Sequence, residues 1–301
     1  MPETQYGYHY QTYHNGNTRP GLSAYLQYQL FKRKRWVNYA LFLITWLTTF
    51  FTGFGFQGSL LDGFWYSTGI MSILLSHEMG HYLMCRRHGV AATLPFFIPF
   101  PFSPFGTMGA VIKMDGRIPD RRVLFDIGAA GPIAGIFIAL PAAFFGLKMS
   151  PVFTLDQVSS GYWVLGDSLL FKALELLAVG PLAEGQSTFL HPLAYAGWAG
   201  LFFTALNLLP IGQLDGGHVV YALFGEKSRY LFAVFLALFA LICIFFYLPW
   251  MLFVVILLWM GYKHPPTLNP YIQLDRKRRI IAVLVLIFFV LAFVPVPFTI
   301  Q

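Results

Sequence analysis

The residues with the clearest chemical potential lie in one short run, His77-Glu78-Met79-Gly80-His81, inside a long apolar stretch. Positions i and i+4 of an α-helix share a face, so His77 and His81 can present two imidazoles to one ion. Glu78 is placed to reach a water on that ion without ligating it. The run therefore predicts a metal site that activates water.

This spacing is the H-E-x-x-H pattern of zinc hydrolases, so we expect one Zn²⁺ per chain. The alternative is a pair of core histidines that are hydrogen-bonded to the backbone or to neighbours. From residue 64 to residue 82, Glu78 is the only Asp, Glu, Lys or Arg. Because ionisable groups at membrane depth are costly and usually functional, we favour the metal site.

A third ligand is expected in the stretch from Asn207 to His218, where Pro210 and several glycines break an apolar segment. Such breaks at membrane depth expose backbone groups and mark sites. Asp215 offers a carboxylate oxygen that would complete a three-ligand catalytic zinc site. Asp215 could instead accept backbone N–H groups at a loop end. His88, close to the helical face of His77, is another candidate ligand.

The composition places these residues in a lipid bilayer. Hydrophobic residues make up 57% of the chain and charged residues only 11%, whereas soluble domains have about 25% charged residues. The net charge of +7 could suggest nucleic acid, but the basic residues cluster at the ends of apolar segments. That distribution is typical of topology signals, so we expect no nucleic-acid partner.

We expect an all-α polytopic membrane protein with about seven transmembrane helices, since about 20 apolar residues span a bilayer. If the N-terminus is cytoplasmic, 18 of the 20 Lys and Arg residues lie in cytoplasmic segments, as the positive-inside rule requires. The second span and the Asp215 break then meet on the cytoplasmic side. The predicted spans are 36–56, 64–84, 123–147, 193–211, 230–247, 248–262 and 280–298.

Residues 90–121, after the second helix, are rich in proline and phenylalanine. Four prolines within ten residues exclude a regular helix, yet the segment is too apolar for a solvated loop. We expect a short membrane-associated β-hairpin or re-entrant element shielded by protein, with a strand within 106–114. The alternative is an ordinary surface hairpin. In the third span, the small residues of 128–135 predict a close approach by another helix.

Together these motifs resemble the site-2 protease family of intramembrane zinc metalloproteases. The resemblance rests on residues 77–81 and on an Asn-x-x-Pro-x-x-x-x-Asp-Gly pattern, and it covers roughly residues 36–225. The second pattern is matched by Asn207, Pro210, Asp215 and Gly216.

The resemblance implies that His77, His81 and Asp215 bind zinc, that Glu78 is the catalytic base, and that Asn207 lies near the substrate or the reacting carbonyl. The domains would be a polar, tyrosine-rich cytoplasmic tail (1–35), a protease core (36–225) with an extracytoplasmic loop (148–192), and C-terminal transmembrane helices (226–301).

The implied reaction is hydrolysis of a peptide bond in or near the transmembrane segment of a single-span membrane protein. Zinc would lower the pKa of water from 15.7 to about 7, and Glu78 would move its proton to the leaving amine. A strand edge at Gly109, Val111 and Ile112 could receive the unwound substrate by main-chain pairing.

Two other classes stay open. A metal transporter would need a chain of ligands across the membrane and no base at Glu78, and an inactive membrane scaffold would not need all four site residues. The sequence carries no signal for an oligomeric state. The lack of a transit peptide favours a bacterial inner membrane.

Overall fold

The structure, a computed structural model, describes residues 35–154, 163–260 and 264–300, and it is mostly helical, as predicted. The helices are α1 (Trp36–Gln57), α2 (Leu60–Arg87), α3 (Arg121–Lys148), α4 (Leu169–Ala178), α5 (Pro192–Asn207), α6 (Asp215–Phe224), α7 (Ser228–Phe246), α8 (Met251–Met260) and α9 (Arg276–Ala292). Short 3-10 turns follow α6 and precede α8.

Among the described residues, six short strands form three antiparallel pairs. These are β1 (Phe96–Pro99) with β2 (Thr107–Val111), β3 (Val152–Thr154) with β5 (Gln186–Thr188), and β4 (Trp163–Leu165) with β6 (Phe298–Ile300). The β1–β2 hairpin falls inside the segment predicted to be re-entrant, and β2 falls inside the predicted strand region.

A helix lies in each of the seven apolar segments predicted to span the membrane. Within the described residues, three helical stretches are long and apolar enough to cross a bilayer: Trp36–Phe56, Arg121–Lys148 and Asp215–Phe246. A shorter apolar stretch follows at Leu248–Trp259. α2 has 28 residues but is less apolar because it carries the His-Glu-His run. The structure thus has three candidate spans, and the count of seven stays a prediction.

Three expected features lie wholly or partly outside the described residues. Only residue 35 of the predicted tail is described, residues 155–162 of the 148–192 loop are not, and the sixth predicted span loses its last two residues. The described part of the loop contains α4 and strands β3, β4 and β5.

The centre of the protein is formed by α2, α3 and α5, which pack closely because small residues line their contacts. A Cβ atom at Gly80 of α2 would lie 2.5 Å from the carbonyl oxygen of Ala130 on α3. The predicted close approach at 128–135 is therefore seen, and the helix that approaches is α2. Fully buried side chains fill the space beside it, among them Tyr66, Ile70, Ile73 and Trp198.

Candidate metal centre

α2 supplies two histidines that face the same way. His77 and His81 lie one helical turn apart, both are buried, and their Nε2 atoms are 3.2 Å apart. The helix begins at a Ser59 cap, whose side chain accepts a hydrogen bond from the N–H of Leu61. Because the helix is continuous from Leu60 to Arg87, the i, i+4 spacing of the sequence becomes a side-by-side pair.

The third side chain of the candidate metal centre is Asp215, at the start of α6. α5 ends at Asn207, the chain turns through residues 208–214, and α6 begins at Asp215. The turn is so tight that a Cβ atom at Gly216 would lie 2.0 Å from the carbonyl oxygen of Leu208. This turn brings Asp215 Oδ2 within 3.1 Å of His77 Nε2 and 3.3 Å of His81 Nε2.

The tautomer of neutral His81 follows from its second hydrogen bond. His81 Nδ1 lies 2.8 Å from the carbonyl oxygen of Ile127. Since a carbonyl only accepts, Nδ1 carries the proton and Nε2 keeps its lone pair. That lone pair faces His77 and Asp215, as a metal ligand should. Outer partners of this kind are typical of metal-binding histidines.

The three atoms fit a tetrahedral metal ion. Their separations are 3.1, 3.2 and 3.3 Å. Ligand atoms about 2.0–2.1 Å from zinc at tetrahedral angles would be about 3.3–3.4 Å apart. Two imidazole nitrogens and a carboxylate oxygen meeting in a buried place need a shared proton or a cation between them. A three-ligand set of this kind could hold zinc and leave a fourth position open.

Glu78 lies between this cluster and the β1–β2 hairpin. It is buried, and its carboxylate faces the backbone N–H of Ile112, just past β2. Asn207 Nδ2 lies 3.4 Å from His77 Nε2. All five residues predicted to do chemistry thus lie in one region, although they come from α2, α5 and α6.

His88 belongs to a different cluster, so its prediction as a possible third ligand is wrong. Its Nε2 lies 3.0 Å from Asp126 Oδ2. Asp126 also receives two hydrogen bonds from the guanidinium of Arg278, each 2.7 Å long. This ionic cluster joins α2 and α3 to α9.

The predicted substrate residues lie on and just after β2. One edge of β2 pairs with β1, and among the described residues no strand pairs with its other edge. Val111 is 50% exposed, while the backbone N–H of Ile112 faces Glu78. Gly109 has a φ of +95°. The unpaired edge therefore ends beside the candidate base.

Two further histidines, His218 and His264, lie near the site, and neither was predicted to be a site residue. His218 is buried one turn after Asp215, and its Nδ1 lies 2.6 Å from His264 Nε2. The i, i+3 spacing from Asp215 was a signal for His218. His264 comes from the segment before α9, and nothing in the sequence pairs it with His218.

A buried His-Glu-x-x-His run joined by a distant Asp inside a helical bundle defines a class of metallopeptidase centre. The sequence model of peptidase family M50 matches residues 65–249, a range that includes His77, Glu78, His81 and Asp215. The chain belongs to this family.

Curated relatives agree with that assignment. The chain is 34% identical over 235 residues to the probable zinc metalloprotease EGY1, chloroplastic, of Oryza sativa subsp. japonica, covering 75% of this chain and 40% of that protein. It is 33% identical over 234 residues to the Arabidopsis thaliana protein of the same name, covering 76% and 42%. For EGY2 of Arabidopsis thaliana the identity is 33% over 157 residues, covering 52% and 28%. The chain thus spans about two fifths of the EGY1 relatives' length.

Proposed function

We propose that this protein is an intramembrane zinc metalloprotease that hydrolyses a peptide bond in or near the transmembrane segment of a membrane-anchored protein. The observation that supports this proposal most directly is a distance: His77 Nε2, His81 Nε2 and Asp215 Oδ2 lie within 3.3 Å of one another. Glu78 beside them supplies the base that a hydrolase needs. Family membership and the names of the relatives support the same activity.

In this proposal His77, His81 and Asp215 hold one zinc ion. Bound zinc supplies a Lewis acid that polarises a carbonyl and lowers the pKa of water. The Nδ1–H of His81 stays on the Ile127 carbonyl and fixes the ring so that Nε2 faces the metal position. Asp215 adds a negative charge that offsets part of the charge of a dication.

Glu78 is the general base and then the general acid. Its carboxylate takes a proton from the attacking water and delivers it to the leaving amine. The carboxylate faces the backbone N–H of Ile112, so proton transfer occurs next to the end of β2. Asn207, beside His77, has amide N–H groups that can donate to the reacting carbonyl.

The open edge of β2 is the proposed docking site for substrate. A peptide bond in a helix is shielded and hydrogen-bonded, so the substrate must unwind before cleavage. An unwound segment would add to Gly109, Val111 and Ile112 as a third strand, with main-chain hydrogen bonds giving affinity. A Val111→Pro variant, which can no longer donate from that position, should lose cleavage while keeping its zinc. Unchanged cleavage by the folded variant would exclude pairing with β2 as a step in substrate binding.

We further propose seven membrane spans, a cytoplasmic N-terminus and a hairpin that re-enters the membrane. The partners are then the lipid bilayer and single-span substrates. The curated relatives are named chloroplastic, which favours an organelle membrane over the bacterial inner membrane expected from the sequence.

The test compares cells carrying the wild type with cells carrying Glu78→Gln by quantitative membrane proteomics. The amide keeps the size of the side chain and spares the three ligands. Single-span proteins or their stubs should accumulate in the mutant. Purified wild type with zinc should then cleave one of them within its span, and Glu78→Gln should not.

The opposite outcomes would identify the competing classes. If nothing accumulates and zinc flux across vesicles depends on His77 and Asp215 but not on Glu78, the protein is a transporter. If neither cleavage nor flux is found in zinc-loaded protein, it is a scaffold.

A further inference from the structure

The tip of the β1–β2 hairpin is fastened by two tyrosine hydroxyls. Tyr66 on α2 donates to the carbonyl oxygen of Phe105 over 2.9 Å, and Tyr195 on α5 donates to that of Pro104 over 3.1 Å. Both tyrosines are buried, and their rings stack with centroids 5.3 Å apart. The Phe105 ring joins this stack, 6.2 Å from Tyr195. Two helices of the core thus hold two consecutive carbonyls of the tip.

The other end of the hairpin passes the same helix at the proposed base. The backbone N–H of Ile112 faces Glu78, and Glu78 follows Tyr66 by twelve residues on α2. At 1.5 Å per residue, that separation is about 18 Å along the helix axis. β2 therefore runs along one rigid helix, from the hydrogen-bonded tip at one end to the Glu78 carboxylate at the other.

We propose that Tyr66 and Tyr195 are positioning residues that set which peptide bond of the substrate is cut. This inference rests on the proposed function and deepens it. A substrate strand paired with β2 takes its position from β2, and β2 takes its position along α2 from the two tyrosine hydroxyls. Since a strand rises about 3.4 Å per residue, a slip of the hairpin by that distance would bring a neighbouring peptide bond to Glu78.

The chain offers a substitution that isolates the hydroxyls from the rings. Tyr→Phe at either position removes one donor and keeps the stacked ring, so the aromatic packing and the fold are retained. Tyr39→Phe on α1 is the matched control, because Tyr39 is 62% exposed and lies away from the hairpin tip.

The experiment uses the purified full chain with zinc and, as probe, the single-span protein that accumulates in Glu78→Gln membranes. Product ends are mapped by mass spectrometry for the wild type, both single variants, the double variant and the control. In the double variant, the ratio of cuts at neighbouring bonds to the main cut should rise about tenfold, which equals about 1.4 kcal/mol. Each single variant should show about a threefold rise, and Tyr39→Phe none. Zinc content should stay at the wild-type level in all of them.

Several outcomes would overturn the proposal. A lower rate with an unchanged cut position in zinc-loaded variants would mean that the tyrosines serve the fold alone. An unchanged rate and cut position would mean that the hydroxyls do not set the register. If the double variant does not bind zinc, the cut positions of the two single variants test the proposal instead. If the wild type cleaves nothing, the proposed function fails and this inference falls with it, whereas normal cleavage by all variants refutes the inference alone.

Discussion

At the scale of single residues, the candidate chemistry depends on which atoms carry lone pairs. The Ile127 carbonyl fixes the proton of His81 on Nδ1, and Asp215 comes within 3.3 Å of both histidines. Asp215 is the one proposed ligand outside the His-Glu-x-x-His run, and the sequence also allowed it to be a loop-end carboxylate on backbone N–H groups. Its removal therefore tests the metal centre most directly.

Asp215→Asn should lose most of its zinc, because a neutral amide replaces the one anionic group among the three proposed ligands. The measurement is the zinc content of purified protein after dialysis against a weak chelator, with about one zinc per chain expected for the wild type. Asp167→Asn is the control, since Asp167 pairs with Lys172 in the loop at 3.7 Å. Full zinc occupancy in Asp215→Asn would contradict its role as a ligand.

At the scale of elements, the site exists because α3 comes unusually close to α2. A Cβ atom at Gly131 of α3 would lie 2.0 Å from His81 Nε2 and 2.4 Å from His81 Cδ2. No side chain larger than hydrogen fits there while the ring holds its place. The small residues of the third predicted span thus make room for the ring of His81, a proposed ligand, as well as for a helix.

Gly131→Ala should displace the His81 ring and reduce zinc occupancy, with an overpacking cost of about 1–3 kcal/mol in stability. Zinc analysis and thermal unfolding in detergent measure the two effects. Gly55→Ala on α1 is the helical control, because a Cβ atom there meets nothing within 4 Å and alanine favours the helix by up to about 1 kcal/mol. Wild-type zinc content in Gly131→Ala would show that the ring can move without losing the metal.

The ionic cluster joining α9 to the core is the second element-scale feature. Arg278 donates two hydrogen bonds of 2.7 Å to Asp126 and also contacts Asp275, which caps α9. Hydrogen bonds from the backbone and guanidinium of Arg278 hold the pKa of Asp275 below its ordinary value. The Asp275 contact therefore stabilises the folded protein above the ordinary carboxyl pKa and is lost as the pH falls through the lowered value.

Arg278→Lys should loosen the N-terminal end of α9, because an ammonium group cannot form the two-pronged contact with Asp126. Lower protection of backbone amides around residues 276–282 against hydrogen exchange is the expected result. Acidification of the wild type should lower protection in the same way, once rates are corrected for the intrinsic exchange rate at each pH. Lys277→Arg is a conservative control on the neighbouring position. Equal exchange in the wild type and Arg278→Lys would mean that the apolar packing of α9 is sufficient.

At the scale of the whole molecule, the proposed topology places the metal centre near the cytoplasmic side. In the sequence, 18 of the 20 basic residues fall on that side if the N-terminus is cytoplasmic. Three helical stretches among the described residues have the length and apolarity to cross the membrane. The remaining helices need a direct test of their orientation.

Cysteines introduced one at a time provide that test. The native Cys85 and Cys243 are both buried, so they should not react with the reagent. A cysteine replacing Lys172 should react with an impermeant maleimide from the side opposite the N-terminus. A cysteine replacing Arg117 should react only after the membrane is opened. The native protein is the control for background labelling, and the reverse pattern would invert the proposed topology.

The sequence by itself determined the features that depend on neighbours along the chain. The His77–His81 pair, the position of Glu78 and the apolar helices follow from helical periodicity and hydropathy, because these patterns act over a few turns. The small residues of α3 predicted a close helix contact for the same reason.

Only the tertiary structure decided how distant groups meet. The sequence named Asp215 as an expected ligand, but its contact with the histidines depends on packing. Asp215 lies 138 positions from His77, and its approach depends on how α6 packs after a tight turn. The same packing sends His88 to Asp126, pairs His218 with His264, and seats the hairpin tip on Tyr66 and Tyr195. Such contacts arise from the joint packing of several helices, and no local pattern in the chain encodes that packing.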